Sequence, residues 1–458
     1  MQLYRTTLLF IFSFVCIKTT FGQRSSNGWQ WLFNGKDLKG WKRLAGDAEF
    51  TVENGAIVGK TVLNSGNTFL VTEKEYGDFI LELDVYLEDN EGNGGIQTRS
   101  HVEPTANNGK GKVYGRQCEV DPSSRRWTGG IYDEGRRDWL YPLQLNASAQ
   151  YAFNKDVYNH FRIECIGNEM KTWVNGIAAA YVVDTIDAKG FIGLQVHGIS
   201  SADHAGKKVS FKNIRIKTSG LVAVPFPPNI YVVNFIPNNL TSYEKETGWK
   251  LLFDGRSTNG WRSARSNIFP EKGWRIFNGV LSVEKATGGE SANGGDIVSK
   301  EQYTSFDLSF EFALSKGANS GVKYFVTLAE DSKGSAIGLE YQILDDSLHP
   351  DAKLGIAGNR TLASLYDLIK AEKQKRFLRP TGQWNWGRIV VYPNDKVEHY
   401  LNGVKVLEYI RGSKQFRDLV AISKYVIWKN FGEAHKGHIL LQDHGDEVAF
   451  RSIKIREL

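Results

Sequence analysis

Between residues 79 and 85 the apolar side chains Phe79, Leu81, Leu83 and Val85 alternate with the acidic Glu82 and Asp84, and Phe306, Leu308, Phe310 and Phe312 repeat the arrangement. A period of two is that of a strand with one face buried, not that of a helix. Short runs of this kind are separated by tight-turn pairs, among them Asn54-Gly55, Asn175-Gly176, Asn278-Gly279 and Asn402-Gly403, which predict hairpins. Helical patterning is scarce, and its best stretch runs from Ser364 to Lys373. Many evenly spaced strands with little helix predict an all-β sandwich, of which the jelly roll is the common large version.

The pattern occurs twice. Gly28-Trp29-Gln30-Trp31-Leu32-Phe33-Asn34-Gly35, ending in Gly40-Trp41, recurs as Gly248-Trp249-Lys250-Leu251-Leu252-Phe253-Asp254-Gly255, ending in Gly260-Trp261. Trp173-Val174-Asn175-Gly176 returns as Tyr400-Leu401-Asn402-Gly403, and Leu194-Gln195-Val196-His197-Gly198 as Leu441-Gln442-Asp443-His444-Gly445. Self-similarity in the same order identifies a tandem repeat. We place the first domain at 23–218 and the second at 247–458. The connector at 219–246 carries Pro225, Pro227, Pro228 and Pro237, which central strands exclude.

The N-terminus changes the expected location. Arg5, an apolar run from Leu8 to Ile17, and Thr19-Thr20-Phe21-Gly22 form the basic, apolar and small-residue pattern of a secretory signal, so residues 1–22 are expected to be a signal peptide and the protein to be exported, to the periplasm or the cell surface. The apolar run is too short to cross a bilayer, which takes about 20 residues, and no later segment qualifies as transmembrane. The formal charge of +6 contains no block of like charges, which argues against nucleic acid as a partner. Beyond the leader only Cys118 and Cys165 remain; buried free thiols are expected of them, and no Cys/His spacing or calcium-loop spacing assigns a metal or cofactor.

Three groups of polar side chains do not fit a plain sandwich. Gln117, Glu119 and Asp121 alternate with Cys118 and Val120, so they share one strand face at about 6.6–7 Å intervals; Glu340, Gln342 and, after one inserted residue, Asp345 repeat the feature. A solvated outer face is the plain alternative to a concave binding surface. The loop holding Tyr132, Glu134, Arg136 and Arg137 is dense in charge and aromatics, a mixture that suits carbohydrate; its counterpart keeps Tyr366 and Asp367 but has Leu368 in place of Glu134. Gln195 with His197, and Gln442 with His444, are two apart and expected on one strand face, where a histidine suits acid–base work. Arg99 is expected to add a cation beside Gln97, while the second copy has Lys323 and Phe325 at those two positions.

Taken in order, Leu-Phe-(Asn/Asp)-Gly with Gly-Trp, the Asn-(Gly/Ser)-Gly strand, the Glu/Gln strand, the (Ile/Leu)-Tyr-Asp turn and the closing Leu-Gln-x-His-Gly resemble the 3-keto-disaccharide hydrolase domain family, once per copy. The resemblance implies two concanavalin-like jelly rolls in tandem and an enzyme acting on glycosides oxidised at carbon 3. The ketone acidifies the carbon-2 proton, so a base expels the anomeric group by elimination and water adds afterwards. On that resemblance Glu119 or His197 is the candidate base of the first copy, Arg99 or Arg136 the stabiliser of developing charge, and Tyr132, Gln117 and Gln195 orient the sugar. Glu340, Gln342, Tyr366, Gln442 and His444 are the matched residues of the second. A conventional route through paired carboxylates, Glu119 with Asp121, stays open. The rival reading is a tandem carbohydrate-binding protein without catalysis.

Overall fold

The computed structural model describes residues 28–286, 291, 293–328 and 336–458. The segment read as an export signal, residues 1–22, lies outside the described residues. Within them each repeat forms two packed antiparallel sheets. In the first copy one sheet places Phe79–Leu87 between Asn159–Ile166 and Lys208–Lys217; the other runs Asp138–Tyr141, Ile131–Glu134, Lys112–Val120, Gly94–Glu103, Phe191–Val196, Thr68–Thr72, Trp41–Ala45. The second copy repeats the latter order as Ala336–Leu344, Asn319–Leu328, His438–Leu441, Ile297–Ser299, Trp261–Ser263. The two copies are tandem jelly-roll β-sandwiches, as the strand periodicity predicts.

The alternating strands bury the expected face: Phe79, Leu81, Leu83 and Val85, like Phe306, Leu308, Phe310 and Phe312, have no exposed surface. The four Asn-Gly pairs turn the chain as hairpins. Asn54, Asn175, Asn278 and Asn402 all have φ near +50°, and the glycines that follow are also left-handed, the conformation that a two-residue hairpin requires of both central residues. Cys118 and Cys165 are buried free thiols.

One element differs from the sequence expectation. Residues 364–373 form turns and isolated bridges rather than a helix, because Leu365, Leu368 and Ala371 are pulled into the sandwich core individually. The longer α-helix is instead Lys414–Ala421, whose Ser413 Oγ accepts from the Phe416 amide at 3.1 Å, an N-cap.

The proline-bearing connector is bolted to both copies. Phe226, Ile230, Tyr231 and Val232 join the first core, and Val233–Asn234 pairs in parallel with the strand Ile177–Val183. Thr241 and Glu244 then form a capping box on the short helix Ser242–Glu246. Glu244, fully buried, makes an ion pair with Lys454 of the second copy. The Tyr231 ring stacks on Trp386 at 5.3 Å, and its hydroxyl donates to Ser309 Oγ at 2.9 Å. A cavity of about 470 Å³ lies between the copies, walled by Trp139, Trp384, Trp386 and Arg379. Neither Glu119 nor Glu340 lines it.

Candidate active site

The register of the two Gly-rich strands shows how the copies correspond. Gly95 lies opposite Glu119 and Gln97 opposite Gln117; Gly321 lies opposite Gln342 and Lys323 opposite Glu340. The carboxylate and the amide have therefore exchanged places between the copies. Glycine is needed at 95 and 321 because a Cβ there would come within 2.2 Å of the Gln117 side chain and 2.4 Å of Glu340 Oε1.

In the first copy these groups hydrogen-bond to one another. Gln97 Nε2 donates to Gln117 Oε1 at 2.7 Å, Gln117 Nε2 to Glu119 Oε2 at 2.9 Å and to Gln195 Oε1 at 3.3 Å, and Asn93 Nδ2 to Glu119 Oε1 at 2.6 Å. Glu119 is only 4 % exposed. Burial pushes its pKa up to about 7 against the lowering effect of Asn93 and Gln117, which places a carboxylate at the poise of a general base. His197 follows the end of its strand, which stops at Val196, rather than continuing it; burial lowers its pKa. Tyr132 donates to Asp138 Oδ1 at 2.6 Å, and Glu134 accepts from Asn67 at 3.1 Å.

Four of the expected site residues lie elsewhere or are already engaged. A β-bulge after Thr98 puts Arg99 at φ 47° and turns it away from Gln97. Its guanidinium is buried, donating to the carbonyls of Gly77 and Gly167 at 2.7 Å each and pairing with Asp78 at 2.8 Å. Phe325 sits in the same bulge of the second copy, at φ 52°. Arg136 and Arg137 both turn to Asp133, at 2.7 and 2.5 Å, and are held further by Asp187 and Asp184. Asp133 is fully buried, on the strand face opposite Tyr132 and Glu134, with both guanidiniums turned to it. Asp121 is bound by Arg125 Nε at 2.7 Å and Ser123 Oγ at 2.6 Å, so its oxygens are already committed to structural partners. The paired-carboxylate route through Glu119 and Asp121 loses its second partner.

In the second copy the matched residues surround open space. Lys323, Glu340, Gln342, Tyr366, Gln442 and His444 line a cavity of about 360 Å³, within the usual range of small-molecule sites. Lys323 Nζ stands 4.0 Å from Glu340 Oε2. With its amide turned to suit its neighbours, Gln342 donates to Glu340 Oε1 at 3.2 Å, the mirror of the Gln117–Glu119 bond. Burial raises the pKa of Tyr366, whose ring faces Lys424 Nζ at 4.2 Å. Gln442 and His444 lie beyond the strand His438–Leu441, on the turn that follows it rather than on a strand face.

The open wall comes from residues that periodicity did not flag. Residues 411–437 separate Val404–Ile410 from His438–Leu441, where the first copy has only 184–190 between Ile177–Val183 and Phe191–Val196. This long connection brings Lys424, Tyr425 and Trp428 to the cavity, with Arg265 and Asp296 from other loops. The run Lys424-Tyr425-Val426-Ile427-Trp428 without a counterpart in the first copy is the signal that points to it. Beside the cavity, ligand atoms of His349, His444 and Asp446 lie within 4.8 Å of one another.

Fold and site together define a tandem β-sandwich protein with an enzyme-like small-molecule site in at least one copy. The chain belongs to the family described as the 3-keto-alpha-glucoside-1,2-lyase-like domain, which matches residues 28–217 and 248–456. It is similar to a 3-keto-disaccharide hydrolase of Bacteroides thetaiotaomicron, with 38% identity over 232 residues covering 46% of this chain and 79% of that protein. Among solved structures, a chain from Parabacteroides distasonis named a "putative glycosyl hydrolase" matches 48% of this chain and 99% of its own, at 28% identity and TM-score 0.42. The carbohydrate binding module CBM66 from Bacillus subtilis matches 39% and 95%, at 19% identity and TM-score 0.28. No helix among the described residues is long and apolar enough to cross a membrane.

Proposed function

We propose that this protein cleaves the glycosidic bond of 3-keto-glycosides, 3-keto-disaccharides included, by removing the proton next to the ketone, and that the second copy performs the chemistry. The observation that carries the reading is the cavity in which Glu340 stands 4.0 Å from Lys323 under an aromatic wall. Glu340 is the base. It takes the carbon-2 proton, the electron pair forms the enolate of the carbon-3 ketone, and collapse of that enolate expels the anomeric oxygen, leaving a carbon-1 to carbon-2 double bond. Lys323 supplies the positive charge for the enolate oxygen, the role expected of Arg99 or Arg136 in the first copy. Gln342 orients the carboxylate, Tyr366 and Gln442 hold ring hydroxyls, and Trp428 and Tyr425 offer apolar faces to the sugar. Water then adds across the double bond.

The first copy, whose cluster is hydrogen-bonded to itself, serves the packing of the second. The leader-like residues 1–22 support export to the periplasm or the cell surface as the place of action. The test offers the purified protein a 3-keto-glucoside and, in parallel, its unoxidised parent. Cleavage of the keto form alone is expected, and Glu340→Gln is expected to lower turnover by roughly 10²–10⁴-fold, the usual worth of a general base. Cleavage of neither sugar, or full turnover by Glu340→Gln, refutes the assignment.

A further inference from the structure

We propose that the cavity between the two copies is a separate binding site for a short neutral saccharide. It encloses about 470 Å³, within the usual range of small-molecule sites. Its wall draws on the first copy through Trp139, on the connector through Tyr231, and on the second copy through Glu311, Arg379, Trp384 and Trp386. Ser309 and Glu311 alternate with the buried Phe310 and Phe312, so the second copy contributes the outer face of its sheet.

The first copy supplies an internal comparison. Phe312 lies opposite Asn385 as Val85 lies opposite Asn159, and Glu311 opposite Arg451 as Asp84 opposite Lys212. Glu311, Trp384, Trp386 and Arg451 therefore correspond to Asp84, Tyr158, His160 and Lys212. A cation covers the first ring in both copies: Lys212 Nζ stands 3.8 Å from the Tyr158 centroid and Arg451 Cζ 4.0 Å from that of Trp384. In the first copy both oxygens of Asp84 are engaged, one by His160 at 2.9 Å and the other by Asn213 at 2.6 Å, and Tyr158 and His160 are exposed. In the second copy tryptophan stands at both aromatic positions, and the connector and first copy roof them over.

Packing of the junction accounts for only part of this wall. Trp386 is absorbed by it, stacked on Tyr231 and donating through Nε1 to Ser309 Oγ at 2.8 Å. Trp384 stays partly exposed. Arg451 places Nε and Nη2 on one oxygen of Glu311, Oε2, at 2.8 and 2.7 Å, and Oε1 has no partner among the described residues. Arg379 donates to the Arg137 carbonyl at 3.0 Å and makes no ion pair among the described residues, so most of its five N–H donors remain for a ligand.

An indole face, a carboxylate oxygen that only accepts and a guanidinium that only donates select a neutral saccharide. Its C–H faces lie on Trp384, a hydroxyl donates to Glu311 Oε1, and ring or hydroxyl oxygens accept from Arg379. An anion would meet Glu311, and an apolar molecule would desolvate both charges without pairing them. Because both copies and the connector wall the cavity, the bound sugar also ties the junction together. None of this rests on the cleavage proposed above.

The test is calorimetric titration of the full chain with maltose, cellobiose and trehalose, none of which carries a 3-keto group. Saturable heat is expected with at least one of them. Trp384→Ala and Arg379→Ala are each expected to weaken that binding about tenfold with the circular dichroism unchanged, and Trp428→Ala, in the cavity of Glu340, to leave it intact. Heat that is lost with Trp428→Ala, or that survives both Trp384→Ala and Arg379→Ala, puts the sugar elsewhere and overturns the proposal. So does absence of heat with all three disaccharides, or binding of glucuronate alone, whether or not the protein cleaves 3-keto-glycosides.

Discussion

Replacing Glu119 by Gln makes the stability of the protein less dependent on pH, and the size of the effect follows from the burial of that carboxyl. Its pKa rises from 4.5 to about 7 on folding, chiefly through desolvation. Below pH 4.5 both folded and unfolded chains hold the proton, so the group contributes no pH dependence. Between 4.5 and 7 the unfolded chain releases it while the folded chain keeps it, and stability falls by about 1.4 kcal/mol per pH unit. Above pH 7 the accumulated cost is complete at about 3 kcal/mol. A glutamine cannot ionise. It is also accommodated, because Asn93 Oδ1 is buried without a partner among the described residues and a rotation of that amide presents it to the new Nε2 donor. Urea titrations of wild type and Glu119→Gln from pH 4.5 to 8.5, analysed at matched denaturant slopes, are expected to show the variant gaining on wild type by about 3 kcal/mol across that range, with most of the gain in place by pH 7. A stability difference that stays constant between pH 4.5 and 8.5 would falsify the account of Glu119 as a carboxyl held protonated by burial.

Three further outcomes follow from side chains described above. Arg99→Ala leaves the carbonyls of Gly77 and Gly167 without their donor and is expected to cost about 2–4 kcal/mol in denaturant melts, while KM and kcat per folded molecule stay put; a selective rise in KM would return Arg99 to the sugar site. Lys454→Met strands the buried Glu244 carboxylate at the junction of connector and second copy, with an expected loss of about 3–5 kcal/mol that Lys454→Met combined with Glu244→Gln largely recovers. Trp428→Ala removes one apolar wall of the cavity and is expected to raise KM about tenfold, equivalent to about 1.4 kcal/mol, with kcat little changed; steady-state kinetics on a 3-keto-glucoside decide it, and a fall in kcat alone would show that the ring acts on the transition state instead.

The repeat, the strand faces and the hairpins were legible in the chain itself, because each depends on contacts between near neighbours. Alternation of Phe79, Leu81, Leu83 and Val85 states which face is buried, and Asn-Gly pairs state where the chain reverses. The same local logic placed Gln117, Glu119, Glu340 and Gln342 on one face of their strands. It failed at Arg99, where one extra residue in a bulge reverses the side-chain direction and sends a guanidinium into the interior. It failed again for the helix expected near Ser364–Lys373, where burial of separate side chains in the core outweighed a weak helical pattern.

Other features belong to tertiary structure alone. The connection 411–437 has no strand period, so nothing local announces that Tyr425 and Trp428 will wall a cavity. His349 stands 95 positions before His444 and 97 before Asp446, and only the closing of the sandwich sets two of its turns side by side. Whether a polar cluster lines a cavity, as Glu340 and its neighbours do, depends on what stands across from it. Periodicity fixes the face a side chain takes; packing of distant segments decides what that face meets, because the partner is chosen by the whole core and not by the neighbouring residues.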